Sequence, residues 1–169
     1  MSDISIKDKI INEAKRIEED CDHSSKRHFN ASDRWDKYSL RIGLSIAVIT
    51  AIAGGTAFNE HSTTATILSI LATILISIST FLKPSEKVMS HLALGNKYLA
   101  LRNNIRLFRE LELNDIDEAK DKIKVYSSKR DELNDTPIKT IRKDYELAKK
   151  DVDEGRNIYK VDKKENRDA

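Results

Sequence analysis

Two uncharged stretches constrain this chain more than anything else in it. Ile42 to Asn59 is an 18-residue run without an ionisable side chain, and Ser62 to Leu82 is a 21-residue run of the same kind. At the α-helical rise they extend roughly 27 and 31 Å, which matches a hydrocarbon core about 30 Å thick. Buried helices of soluble bundles usually run about 10–14 residues and keep a polar face. The runs therefore predict two transmembrane helices, 42–58 and 63–82. The short link around Glu60 and His61 makes them antiparallel neighbours, a membrane hairpin.

Whole-chain averages conceal this segregation, because 34% of the 169 residues are charged and mean hydropathy is −0.54. Between 42 and 82 the single charged side chain is Glu60. A net charge of +2 is too small to make nucleic acid the expected partner. One cysteine, Cys21, excludes an intrachain disulfide framework and fits a reducing compartment. The first apolar run starts too far from the N-terminus for a cleavable signal peptide.

Orientation follows from the flanks. Lys26, Arg27, Arg34, Lys37 and Arg41 precede the first run, and Lys83, Lys87, Lys97 and Arg102 follow the second. The connecting loop carries no Lys or Arg, so the positive-inside rule places both flanks in the cytoplasm and Glu60-His61 outside the inner membrane.

The flanks read as long helices. Ile10, Ala14, Ile17, Cys21, Ser24, His28, Ala31, Trp35 and Tyr38 recur at spacings of four and three, and this seam runs into the first apolar segment. Ser24 and His28 interrupt it with polar side chains. Beyond the second segment, Pro84 suits the first turn of a new helix whose seam is Leu94, Tyr98, Leu101, Ile105, Phe108 and Leu111. Asp115 with Glu118 resembles a capping box opening a helix with Ile116, Ala119, Ile123, Tyr126 and Leu133 on one face. Thr136-Pro137 is expected to start a last helix, bearing Ile138, Ile141, Tyr145, Ala148 and Val152, with Gly155 as its stop. No strand pattern or internal repeat is visible. The expected fold is all-α: a two-helix transmembrane hairpin continued by long cytosolic helices, and oligomeric. One domain covers 1–157, with cytosolic helices over 1–41 and 84–155, and 158–169 forms a flexible tail.

Two stripes run along the apolar segments. On the first, Gly43, Ala47, Thr50 and Gly54, with Ser39 and Ala57, fall within roughly an 80° arc. On the second, Thr66, Ser69, Thr73, Ser77 and Thr80, with Ser62, do the same. Small residues let helices approach closely in lipid and hydroxyls bond across the contact, so Gly43, Ala47, Thr50 and Gly54 are candidate helix-packing residues. The two stripes facing each other would lock the hairpin. Alternatively Thr66, Ser69, Thr73, Ser77 and Thr80 line an aqueous path, which requires several copies because two helices cannot surround a pore. No mid-membrane Asp, Glu, Lys or Arg offers a proton relay.

Outside the membrane the chemistry is thin. Arg102, Arg106 and Arg109 share a helical face and, with Lys26 and Arg27, are candidates to hold a phosphate; pairing with acidic neighbours is the competing reading. Cys21, His23 and His28 lack metal-ligand spacing and a fourth ligand. With no nucleophile elbow, phosphate loop or carboxylate pair, neither enzymatic activity nor a cofactor is expected.

Several segments resemble one family. Ser25-Lys26-Arg27-His28-Phe29-Asn30-Ala31-Ser32-Asp33-Arg34-Trp35 ahead of the hairpin looks like the membrane-approach segment of the SLATT family of two-transmembrane effectors. Thr80-Phe81-Leu82-Lys83-Pro84, Gly95 to Asn103 and Arg130-Asp131-Glu132-Leu133-Asn134 continue the likeness, which covers most of 10–155. The resemblance implies a toxic effector of prokaryotic antiviral defence that oligomerises and permeabilises the inner membrane. Its trigger would be a nucleotide second messenger or a defence-operon partner such as a nucleotidyltransferase, a reverse transcriptase or a sensor. The alternative is a non-conducting membrane scaffold that recruits a cytosolic partner.

Overall fold

The computed structural model describes residues 3–58 and 62–156, and over these it is helical with no strand. The helices are α1 (Asp3–Phe58), α2 (Ser62–Leu82), α3 (Pro84–Leu111), α4 (Ile116–Asn134) and α5 (Arg142–Asp153). The Glu60-His61 loop and the 158–169 tail lie outside the described residues. The chain forms two compact units: Met1–Ala31 with His91–Ala169, here the helical unit, and Ser32–Ser90, here the apolar unit.

The helical unit has an ordinary apolar core. From α1 it takes Ile10, Ala14, Ile17 and Cys21, and from α3 Leu94, Tyr98, Leu101, Ile105 and Phe108, all buried. Ala119 of α4 closes the cluster, and Ile116, Ile123, Tyr126, Leu133 and Ile138 pack against its edge. Burial of such side chains contributes about 1.5–3 kcal/mol each. The predicted seams hold over these positions and fail at their ends: Leu111 and Tyr38 are exposed, and Ser25 rather than Ser24 is buried. Ser25 can enter the core because its hydroxyl donates to the Asp22 carbonyl at 2.8 Å. Gly95 lets the Phe29 ring close in, since a Cβ there would sit 2.7 Å from Phe29 Cε1.

The helix limits follow local chemistry. Asp115 caps α4, its Oδ1 accepting from the backbone amides of Asp117 and Glu118 at 2.9 and 3.1 Å. Gly155, at φ 62°, follows the α5 terminus as expected. The start of α5 differs from expectation. Thr136-Pro137 begins no helix; α5 starts at Arg142, where the Asp144 carboxylate accepts from the Ile141 amide at 3.1 Å. Pro137 supplies a suitable φ for a helix start but no side chain to receive the free amides, whereas Asp144 does. Asp144 and Ala148 are the buried residues of α5, while Ile141 and Tyr145 are nearly half exposed.

The apolar unit is built differently. α1 and α2 each contain an 18-residue window apolar enough to cross a membrane, with mean hydropathies of 1.6 and 2.2, and only 6% of each window is buried. Leu44, Phe58, Ile67, Ile70 and Phe81 are more than half exposed. One line of less exposed residues runs along each helix: Ile42, Ile46, Ile49, Ala53 and Thr56 on α1, and Ala65, Leu68, Ala72, Leu75, Ser79 and Leu82 on α2. Both lines keep heptad spacing, and Ala53 and Ala72 are their buried members. Lys83, at φ 47°, turns the chain out of α2, and Pro84 opens α3 as the sequence predicts. Around this turn the Ser32 hydroxyl donates to the Val88 carbonyl at 3.2 Å, and Ser39 and Ser85 share a hydrogen bond at 3.2 Å. The Trp35 ring carries Lys87 Nζ 4.2 Å from its centroid and the Arg34 guanidinium at 5.4 Å.

Candidate functional site

Both sequence stripes lie on open faces of the apolar unit. Gly43, Ala47, Thr50 and Gly54 are exposed, and a Cβ added at Gly43 or Gly54 would meet nothing within 4 Å. They are therefore not the packing residues within this chain. The less exposed positions are instead the Ala53 and Ala72 lines, about 100° or more around each helix from the stripes. Thr66, Ser69, Thr73, Ser77 and Thr80 are likewise exposed. Four of their hydroxyls donate to their own helix: Thr66 to Ser62 O, Ser69 to Ala65 O, Thr73 to Ser69 O and Ser77 to Thr73 O, each at 2.8 Å. Thr50 does the same to Ile46 O. These back-bonds satisfy the hydroxyls without another helix.

The arginine face of α3 is occupied by carboxylates. Arg102 Nε lies 3.3 Å from Asp22, whose carboxylate also meets Lys26 Nζ at 3.7 Å, and all three side chains are largely buried. Arg109 Nε donates to Glu18 at 3.2 Å and its Nη1 meets Glu110. Arg106 is engaged as well. The candidate phosphate group thus separates: Lys26, Arg102 and Arg109 are held in ion pairs, whereas among the described residues no ion pair or hydrogen bond engages Arg27. Arg27 Nε is buried without a hydrogen-bond partner.

Cys21, His23 and His28 are not drawn together. Cys21 sits inside the core, and burial, with Asp20 nearby, pushes its thiol up to about 12, which makes it a poor thiolate. His28 faces His91, their Nδ1 atoms 3.0 Å apart, and stacks on Tyr98 at 5.8 Å between centroids. One ring must donate from Nδ1 and the other accept, so the pair holds complementary tautomers. Burial, the facing His91 and Arg27 lower His28 to about 4, against an opposing pull from Asp144. The Tyr98 hydroxyl donates to Asn134 Oδ1 at 2.8 Å, and Asn30 donates to the Asp144 carbonyl at 3.3 Å. Periodicity marked His28 as an interruption of an apolar seam; its partner, 63 residues away, left no local signal. No family model, curated protein or solved structure matches the chain.

Proposed function

We propose that this chain is a two-span membrane effector that assembles with copies of itself and permeabilises the inner membrane on a signal. One observation carries the reading: two helices long enough to cross a bilayer leave their apolar side chains uncovered, with 6% of each apolar window buried. Soluble proteins do not leave apolar faces of this extent in water. The two heptad lines support a hairpin, with α1 and α2 antiparallel across the three-residue link 59–61. Nine basic residues in the flanks, against none in the link, support cytoplasmic termini. The resemblance to the SLATT family supports a role in antiviral defence and a trigger delivered by a nucleotide signal or an operon partner.

The exposed stripes support assembly. Small residues at Gly43, Ala47 and Gly54 admit a second backbone, and the Thr66–Ser69–Thr73–Ser77–Thr80 face is the more polar of the two surfaces available to line a path. The back-bonded hydroxyls favour a second reading, a dry scaffold, because they need neither water nor a partner. Release of a trapped dye from liposomes containing the purified chain separates the two. The conducting reading expects release, and expects it to fall sharply in a Thr73→Val/Ser77→Val double variant that still inserts and cross-links, since an apolar constriction shuts a pore by dewetting. Intact liposomes at every protein density, with the chain inserted and oligomeric, would leave the scaffold.

A further inference from the structure

Residues of α1, α4 and α5 line a half-open cavity of about 410 Å³. That is ample for an organic ligand and far more than one inorganic anion needs. Its lining gathers hydrogen-bond donors on one side: Arg27, His23 and Ser24 from α1, and Asn134 from the end of α4. The Asn134 amide is oriented, because Tyr98 donates to its Oδ1 and so leaves Nδ2 as the remaining donor. Tyr145, its ring 4.6 Å from that of His23, and Val152 supply an apolar wall.

Arg27 is the anomaly. Lys26, Arg102 and Arg109 each face a carboxylate, Lys26 only at 3.7 Å, and Arg106 is engaged, yet among the described residues this half-buried guanidinium has no ion pair, and its Nε has neither solvent nor acceptor. His23 Nε2 is buried beside it and equally without a partner. A buried charge left unpaired is destabilising, and a buried donor without an acceptor adds to that cost. Both defects are removed together by one anion.

We infer that the cavity formed by Arg27, His23, Ser24, Asn134 and Tyr145 is a binding site for a small organic phosphate. Donors converging from three residues on α1 and one on α4 suit a tetrahedral oxyanion, whereas a planar carboxylate would use only the guanidinium fork. The body of the ligand rests on Tyr145 and Val152. Glu19 and Asp20 at the rim limit the negative charge the site tolerates, although Asp20 is itself engaged by Arg130 at 3.3 Å. The site lies wholly within the helical unit, so it stands or falls independently of membrane conduction; if the effector reading holds, it gives the trigger an address.

His23 provides the readout. Burial and the Arg27 charge hold it below its ordinary value, with Asp22, Asp20 and Asp153 opposing. A phosphoryl group seated between the Arg27 guanidinium and the His23 ring reverses the balance and raises the His23 pKa. The full-length chain in detergent is titrated by nuclear magnetic resonance with inorganic phosphate, phenyl phosphate and acetate, and melted with and without each. Both phosphates are expected to raise the His23 pKa and the melting temperature, phenyl phosphate at the lower concentration, and acetate to do neither. Arg27→Gln abolishes the response, Arg27→Lys keeps part of it, and Arg142→Gln, on exposed α5 surface, leaves it intact. Without anion, Arg27→Gln melts no lower than wild type, because an unpaired cation has been removed. The inference is overturned if neither phosphate acts, if acetate acts as strongly, if Arg27→Gln still responds, or if that variant melts lower without anion, which would make Arg27 a structural residue.

Discussion

The two units solve the same problem, where polar side chains go, in opposite ways. In the helical unit they reach across the fold: Arg102 to Asp22, Arg109 to Glu18, His28 to His91 and Tyr98 to Asn134 join different helices, while Ile17, Ile105 and Phe108 sit inside. In the apolar unit the hydroxyls of Thr66, Ser69, Thr73 and Ser77 reach only their own helix, and Leu44, Ile67 and Ile70 point outward. The first arrangement is what water selects, since apolar burial is the gain and buried polar groups need partners. The second is what an apolar solvent selects, because burying Leu or Ile there gains little and every donor must be satisfied locally. One chain carries both arrangements, the second on helices long and apolar enough to cross a membrane.

The contrast breaks first at the buried ion pair. Arg102→Met removes the guanidinium 3.3 Å from the buried Asp22 carboxylate and leaves Lys26 at 3.7 Å. The expected cost is about 3–5 kcal/mol, read as a lower urea midpoint of the helical signal in detergent. A midpoint within error of wild type would mean that this pair contributes nothing.

A matched substitution comes next. Ile74 of α2 and Leu107 of α3 are both about half exposed, at 49% and 48%. Ile74→Asp is expected to lower membrane insertion by about 3 kcal/mol, the cost of a charge near a bilayer centre. Leu107→Asp stays within about 0.5 kcal/mol, as exposed substitutions in water do. Equal, small effects at both positions would remove the distinction between the two solvents.

The smallest expected effect is acid sensitivity of the helical unit. With His28 lowered to about 4 in the fold and about 6.5 when unfolded, the unfolded chain binds the proton more readily. Stability is therefore full above about pH 6.5 and declines as pH falls toward 4, with about 2 kcal/mol lost by pH 5. Denaturation at pH 7.5 and pH 5 checks this, and His28→Gln is expected to flatten the dependence. An identical slope in that variant would assign the acid sensitivity elsewhere.

Much of this was legible from one dimension. Pro84, Asp115 and Gly155 act through their own backbone neighbourhood, so their positions announced α3, α4 and the end of α5. Core seams such as Tyr98–Leu101–Ile105–Phe108 follow from helical period alone. What was hidden is whatever a face meets. The period grouped Gly43 with Gly54 and Thr66 with Thr73, yet not the Ala53 and Ala72 lines that carry the reduced exposure. Arg102, Arg106 and Arg109 shared a face in sequence, but Glu18, which takes Arg109, lies 91 residues away. Arg27 differs from its neighbours only by what did not come to meet it, an absence that no spacing encodes.

The back-bonded hydroxyls of α2 carry a last consequence. A Thr or Ser that has already closed a hydrogen bond with the carbonyl one turn earlier presents its methyl or methylene outward and keeps a lone pair in reserve. Such a face is bilingual. Against acyl chains such a face would present a modest hydrocarbon surface. Against water or a neighbouring helix the hydroxyl can rotate and donate outward. Moving between the two orientations needs a rotamer change at Thr73 or Ser77, not a refolded helix.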